Sequence, residues 1–120
     1  MTDIRIKRVY EPPARSDGKR ILVDRIWPRG MKREDAHVDA WIKDIAPSTA
    51  LRRWFGHDPA KWPEFRTRYL AELSQNPAIG ELQEMARERK TVTLLFGAKD
   101  SLHNNAVVLR DFLQRGVAES

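Results

Sequence analysis

Lys99, Asp100, Ser101, His103 and Asn104 crowd into six residues, directly after the apolar run Thr91–Phe96 and the break at Gly97. A cation, a carboxylate, an imidazole and an amide together can hold an anion and move a proton. Their setting sharpens this reading. A buried parallel strand that runs through a short polar turn into a helix is where open α/β sheets bind ligands. The first backbone N–H groups of such a helix are free, and its dipole favours negative charge. Asp24, Arg25, Trp27 and Arg29 form a second set behind the apolar run Ile21–Val23. If the strand carrying that run lies parallel to Thr91–Phe96, both sets open on one crevice. Arg25, Arg29 and Lys99 would then suit a phosphate or carboxylate, because guanidinium groups match those anions bidentately. Trp27 and Asn104 complete the candidate ligand-binding set. His57, in the stretch Arg52-Arg53-Trp54-Phe55-Gly56-His57-Asp58, and His103 are the candidate acids or bases, with Asp100 to orient or polarise an imidazole.

Each of these residues also has a structural reading. Asp24 can pair with a neighbouring arginine, and Trp27 can plug the core. Asp100 or Ser101 can cap the last helix, and Asp58 can cap an earlier one. His103 then falls in the first helical turn, where the dipole disfavours its charged form. Arg29 leans towards function, since a Pro-Arg-Gly turn offers an arginine little to pack against. The chain has no Gly-rich phosphate loop, nucleophile elbow, HExxH or EF-hand pattern. His37, His57 and His103 lack metal-ligand spacing, so the sequence specifies no metal and leaves any cofactor unknown. It has no cysteine, which excludes disulfides, thiolate ligands and a thiol nucleophile.

The elements that must position these groups follow from pattern. Ile4 and Ile6 alternate with Arg5 and Lys7, which predicts a half-exposed strand over 3–9. A Pro- and Gly-containing loop follows, and then a better buried strand over 19–26, stopped by Pro28. Residues 31–46 are ambiguous, with a helical turn around 32–36 and a short strand around 38–44 both allowed. Ser48 opens a short helix that Gly56 stops. Asp58-Pro59 starts the next, with Trp62, Phe65, Tyr69 and Leu73 on one stripe, and Pro63 marks either an irregular first turn or the point near which the regular helix begins. Asn76-Pro77 starts a third. After the strand 91–96, a last helix is expected over about 102–115, ended by Gly116. The order of elements makes an α/β fold the expectation: a small sandwich with a short, mainly parallel sheet of three to four strands and helices packed on it.

At 120 residues, with 41% hydrophobic and 32% charged residues, one domain over 1–120 is expected. No apolar run approaches the roughly 18 residues of a membrane helix, and the charged opening predicts no secretory leader. A cytoplasmic protein without a membrane partner is therefore expected. The net charge of +5 is uneven. Residues 1–33 hold ten Lys or Arg against four acids, and the other 87 residues hold twelve against thirteen. Such a basic segment draws phosphates, nucleic acid or acidic metabolites, or simply solubilises a sheet edge.

Four separated motifs resemble the YeaO-like family, which carries a domain of unknown function numbered 488. They are Val23-Asp-Arg-Ile-Trp-Pro-Arg-Gly30, Trp41-Ile-Lys-Asp-Ile-Ala-Pro-Ser48, Leu51-Arg-Arg-Trp-Phe-Gly-His-Asp-Pro59, and Thr93-Leu-Leu-Phe-Gly-Ala-Lys-Asp100 with His103-Asn104. The resemblance runs from about residue 4 to 115. It implies a bacterial, cytoplasmic α/β domain and no established activity, and it ties the three turns into one set. Lys99 departs from the arginine more usual at its position, which keeps the charge and loses the fork.

Three functions compete. The first is binding of, or catalysis on, a small anion bearing a phosphate, nucleotide or carboxylate. The second is a nucleic-acid module using Arg5, Lys7, Arg8, Arg15, Lys19 and Arg20, though no recognition motif accompanies them. The third is a protein-interaction domain without catalysis, with Trp27, Trp41 or Trp54 exposed. The sequence leaves the oligomeric state open.

Overall fold

The computed structural model describes residues 2–119, with side chains through Arg115. Four parallel strands form one sheet in the order β1-β4-β2-β3. They are β1 (Asp3–Arg8), β2 (Lys19–Leu22), β3 (Ala40–Trp41) and β4 (Thr91–Phe96). The helices are α1 (Arg33–Ala36), α2 (Thr49–Phe55), α3 (Trp62–Ser74), α4 (Ala78–Arg87) and α5 (Asn105–Glu119). The α/β expectation holds.

β4 is central and buried on both faces from Val92 to Phe96, which its β-branched and apolar sequence permits. Val92, Leu94 and Phe96 face the larger core, with Ile4, Ile21, Val23 and the stripe Phe65, Tyr69 and Leu73 of α3. Leu95 faces the smaller one, with Val9, Leu22 and Ala36, closed by Trp27, Met31, Val38 and Trp41. Strand alternation thus splits one run between two layers. Trp27 meets Trp41 edge to face, with centroids 5.4 Å apart.

β2 pairs with β4 in parallel, Lys19 opposite Val92 and Leu22 opposite Leu95. The turns after these two strands therefore lie side by side at one end of the sheet. β2 is shorter than the expected 19–26. Val23 still donates to Leu95, but Asp24 then turns its carboxylate to the Gly97 N–H at 2.8 Å and the ladder stops. The ambiguous stretch 31–46 contains both a helical turn, α1, and a short strand, β3.

The cap signals of the middle helices hold. Ser48 Oγ accepts from Leu51 N–H, and Gly56 closes α2 in the left-handed region. Asp58 caps the 3-10 turn Pro59–Lys61, after which α3 begins at Trp62 with Pro63 in its first turn. Asn76 Oδ1 accepts from Ala78 N–H before α4.

The last helix differs from expectation at both ends. Asp100 Oδ1 accepts from the N–H groups of Leu102 and His103, making a turn that precedes the helix. Asn104 is the cap, its Oδ1 accepting from Val107 N–H, so α5 starts at Asn105. At the other end the helix continues through Gly116 to Glu119. Glycine costs only about 1 kcal/mol inside a helix and does not by itself stop one.

Candidate functional site

The turns after β2 and β4 form one wall of a cleft of about 270 Å³, and α2 with the turn after it forms the other. Asp24, Arg25, Arg52, His57, His103, Asn104 and Asn105 supply its polar lining. Phe55, Phe65 and Ile26 supply much of its apolar lining.

Arg25 is the least satisfied of the polar groups. Its Nη2 reaches the carbonyls of Ala46 and Pro47 only at 3.4 Å each, and its Nε is buried without a hydrogen-bond partner. A buried donor left unpaired costs about 1–3 kcal/mol. Arg52 projects from the exposed side of α2 into the same cleft.

Asp24 makes no ion pair within 4 Å among the described residues. Its Oδ2 accepts from Gly97 N–H at 2.8 Å and its Oδ1 from Asn105 Nδ2 at 3.1 Å. Burial raises its pKa above the ordinary aspartate value. The bonds from Gly97 and Asn105 oppose that rise, as do the nearby His57 and Arg52.

His57 sits in the left-handed region at φ 57°, directly after Gly56 at φ 55°. Two successive left-handed residues swing the chain back from α2 and bring the imidazole to the cleft. His103 stands opposite, before α5 rather than in its first turn. Its Nδ1 lies 2.9 Å from Asp100 Oδ2, and its ring meets Trp62 edge to face. Bonds from the Leu102 N–H and the His103 ring hold the Asp100 carboxyl below its usual value. With Nδ1 engaged, Nε2 is the nitrogen left for a ligand.

The residues singled out from sequence divide. Arg25, His57, His103 and Asn104 line the cleft, and Asp100 stands behind His103. Asn104 does so as a buried cap, with its Nδ2 bound to the Asp100 carbonyl. Trp27, Arg29 and Lys99 lie outside the lining. Trp27 donates its Nε1 to the Met31 carbonyl and belongs to the smaller core. Arg29 is exposed, and its carbonyl accepts the Tyr10 hydroxyl. Lys99 points from the exposed part of its turn. The Met31 N–H bonds the Pro28 carbonyl at 3.3 Å, closing a turn that leaves Arg29 outside the crevice, while past Ala98 the chain leaves the lining at Lys99 and returns to it at His103.

Arg52 and Asn105 belong to the lining but did not stand out in the sequence. Arg52 reads as an ordinary solvated helix residue, and Asn105 lies about three residues past the helix start that pattern suggests. Among the described residues, no three His, Cys, Asp or Glu side chains gather as a metal would require. No helix among them is long and apolar enough to cross a membrane.

Residues 3–120 match the family described as the inactive DUF488-N3 subclade. The chain belongs to the YeaO-like DUF488 family. It is 46% identical over 112 residues to the uncharacterized protein YeaO of Escherichia coli K12, covering 93% of this chain and 97% of that one. It is 41% identical over 112 residues to the uncharacterized protein Rv3073c of Mycobacterium tuberculosis H37Rv and to Mb3100c of Mycobacterium bovis, covering 93% of this chain and 94% of each. No solved structure matches.

Proposed function

We propose that the protein binds a small anion in the cleft at the C-terminal ends of β2 and β4, with Arg25 and Arg52 as its charged contacts. The observation that carries this reading is the unmet bonding capacity of Arg25. A guanidinium with an orphaned Nε and two 3.4 Å contacts gains by meeting a phosphate or carboxylate. The neighbouring start of α5 adds a favourable dipole, and His57 and His103 add donors on both sides.

Binding without turnover is favoured over catalysis. The matched family is described as an inactive subclade, and among the described residues no hydroxyl, thiol or amine side chain lines the cleft as a nucleophile. The Asp100–His103 pair then serves to fix the imidazole as a hydrogen-bonding partner. A catalytic reading of the same pair predicts turnover of a bound phosphate ester that stops in His103→Gln.

The nucleic-acid alternative loses ground because the basic N-terminal residues are largely engaged. Arg5 binds Asp3 and the Ser16 carbonyl, Lys7 binds Asp17, Arg8 binds the Ala98 carbonyl, and Arg20 is buried. An interaction surface built on Trp27, Trp41 or Trp54 loses ground too, since all three are half-buried.

The test is a thermal-shift series with inorganic phosphate, sugar phosphates, small carboxylates and a short oligonucleotide, each at low and high salt. A ligand that binds only the folded state raises the Tm. A rise with one small anion that survives salt and vanishes in Arg25→Met supports the reading. Stabilisation by the oligonucleotide alone, lost at high salt, supports the nucleic-acid alternative.

A further inference from the structure

The proposed anion must share its cleft with another negative group. Asp24 lies in the lining with an oxygen on Gly97 N–H and the other on Asn105 Nδ2. An ionised carboxylate has about four acceptor sites, so Asp24 keeps acceptor capacity beyond these two bonds. No cation within ion-pairing distance among the described residues uses it. A ligand made only of acceptors, docked on Arg25 and Arg52, would meet this carboxylate as a repulsion.

Asn105 adds a second acceptor. Its Nδ2 donates to both the Val23 carbonyl at 3.0 Å and Asp24 Oδ1 at 3.1 Å. Two acceptors on that end fix the amide orientation, leaving Oδ1 as the end without a hydrogen bond among the described residues. Asp24 and Asn105 thus present adjacent acceptors beside two arginines. The apolar side chains of Ile26 and Phe55 line the same space. A volume of about 270 Å³ lies just under the roughly 300 Å³ at the small end of ligand pockets, the scale of a pentose phosphate rather than a dinucleotide.

Resting on the anion-binding reading above, we infer that the cleft selects a hydroxylated monophosphate of sugar-phosphate size, with a vicinal diol on Asp24 and Asn105 and the phosphate on Arg25 and Arg52. The carboxylate that repels a plain anion becomes the source of selectivity. It accepts a ligand hydroxyl and leaves an alkyl phosphate facing an unpaired negative group. Discrimination by a site built to meet a hydroxyl is strong, because the analogue without it strands a buried polar group.

The test compares D-ribose 5-phosphate with n-pentyl phosphate by titration calorimetry on the full chain. Ribose 5-phosphate is expected to bind at least about tenfold more tightly, the worth of one hydrogen bond to a charged group. In Asp24→Asn the preference should shrink to within about threefold, through weaker ribose 5-phosphate binding and unchanged or tighter pentyl phosphate binding. Asn105→Ala should narrow it in the same direction. Equal affinity of the two ligands for the wild-type protein overturns the diol inference and leaves anion binding standing. So does a preference that both variants retain. No binding of either ligand, nor of inorganic phosphate, overturns the anion-binding reading and this inference with it. The wild-type comparison decides the matter even if a variant fails to fold.

Discussion

An aspartate–arginine pair stands at each end of β2, and the two are treated in opposite ways. At the start, Arg20 is buried and nearly saturated. Its Nη1 lies 2.5 Å from Asp17, its Nη2 binds the Ala36 carbonyl at 2.9 Å, and its Nε binds the His37 carbonyl at 3.1 Å. Asp17 also takes Lys7 Nζ at 3.1 Å and the Ala14 N–H at 3.0 Å. Burial would raise the pKa of Asp17, but the bonds from Ala14, Lys7 and Arg20 outweigh it and the pKa is lowered. At the other end Arg25 has an idle Nε, and Asp24 carries a raised pKa without an ion pair. The same residue types serve as a closed structural lock at one end and as open valences beside a cleft at the other. Hydrogen-bond satisfaction, rather than residue type, separates them.

This contrast breaks first at Asp17. Asp17→Ala strands the buried Arg20 guanidinium and should cost about 3–5 kcal/mol, read as a lower denaturation midpoint with an unchanged slope. A loss below about 1 kcal/mol would mean the lock is no stronger than a surface pair. Asn104→Ala removes the α5 cap beside the cleft and should cost about 1–2 kcal/mol in the same assay. Arg25→Met should change stability by less than about 1 kcal/mol, because little bonding is lost, while abolishing any ligand-induced rise in Tm. A large destabilisation there would move Arg25 into the structural class.

Acid titration of stability sharpens the comparison, because the two carboxylates pull in opposite directions. Asp17 has a folded pKa below 3.8, so its stabilising contribution is full above 3.8 and fades as pH falls through the lowered value. Asp24 has a folded pKa above 3.8, so its contribution is greatest in acid and declines as pH rises from 3.8 through the raised value. The Tm deficit of Asp17→Asn should therefore narrow on acidification. The Tm of Asp24→Asn relative to wild type should climb as pH rises through the window above 3.8. The check is a melting series of both variants across that range, and parallel curves would remove the contrast.

Much of this architecture was legible in the residues. Ser48, Gly56, Asp58-Pro59 and Asn76-Pro77 announce the middle helices through local chemistry, and local chemistry survives folding. The run Val92–Phe96, apolar on both faces, reads as an interior strand, and it is one. Pairing of β2 with β4 was a condition of the site rather than a reading, and the strand order meets it.

The rest depended on partners far along the chain. The Asp24 carboxylate is oriented by the N–H of Gly97, 73 residues later. Arg20 gained its buried role from carbonyls at 36 and 37, which no spacing rule reveals. Arg29 reads as available for a ligand because its Pro-Arg-Gly turn offers little to pack against, yet that turn, closed by the Met31 N–H on the Pro28 carbonyl, stands outside the cleft lining. The start of α5 moved because Asp100 spent its carboxylate on two N–H groups before the helix, passing the cap to Asn104.

An amide NMR titration with D-ribose 5-phosphate separates an anion in the cleft from one on the basic surface. Saturable shifts are expected at Gly97, Asn105, His57 and the Arg25 backbone, absent in Arg25→Met, with Lys7, Lys19 and Lys90 unmoved. Shifts confined to those lysines, or none at millimolar ligand, would contradict binding in the cleft.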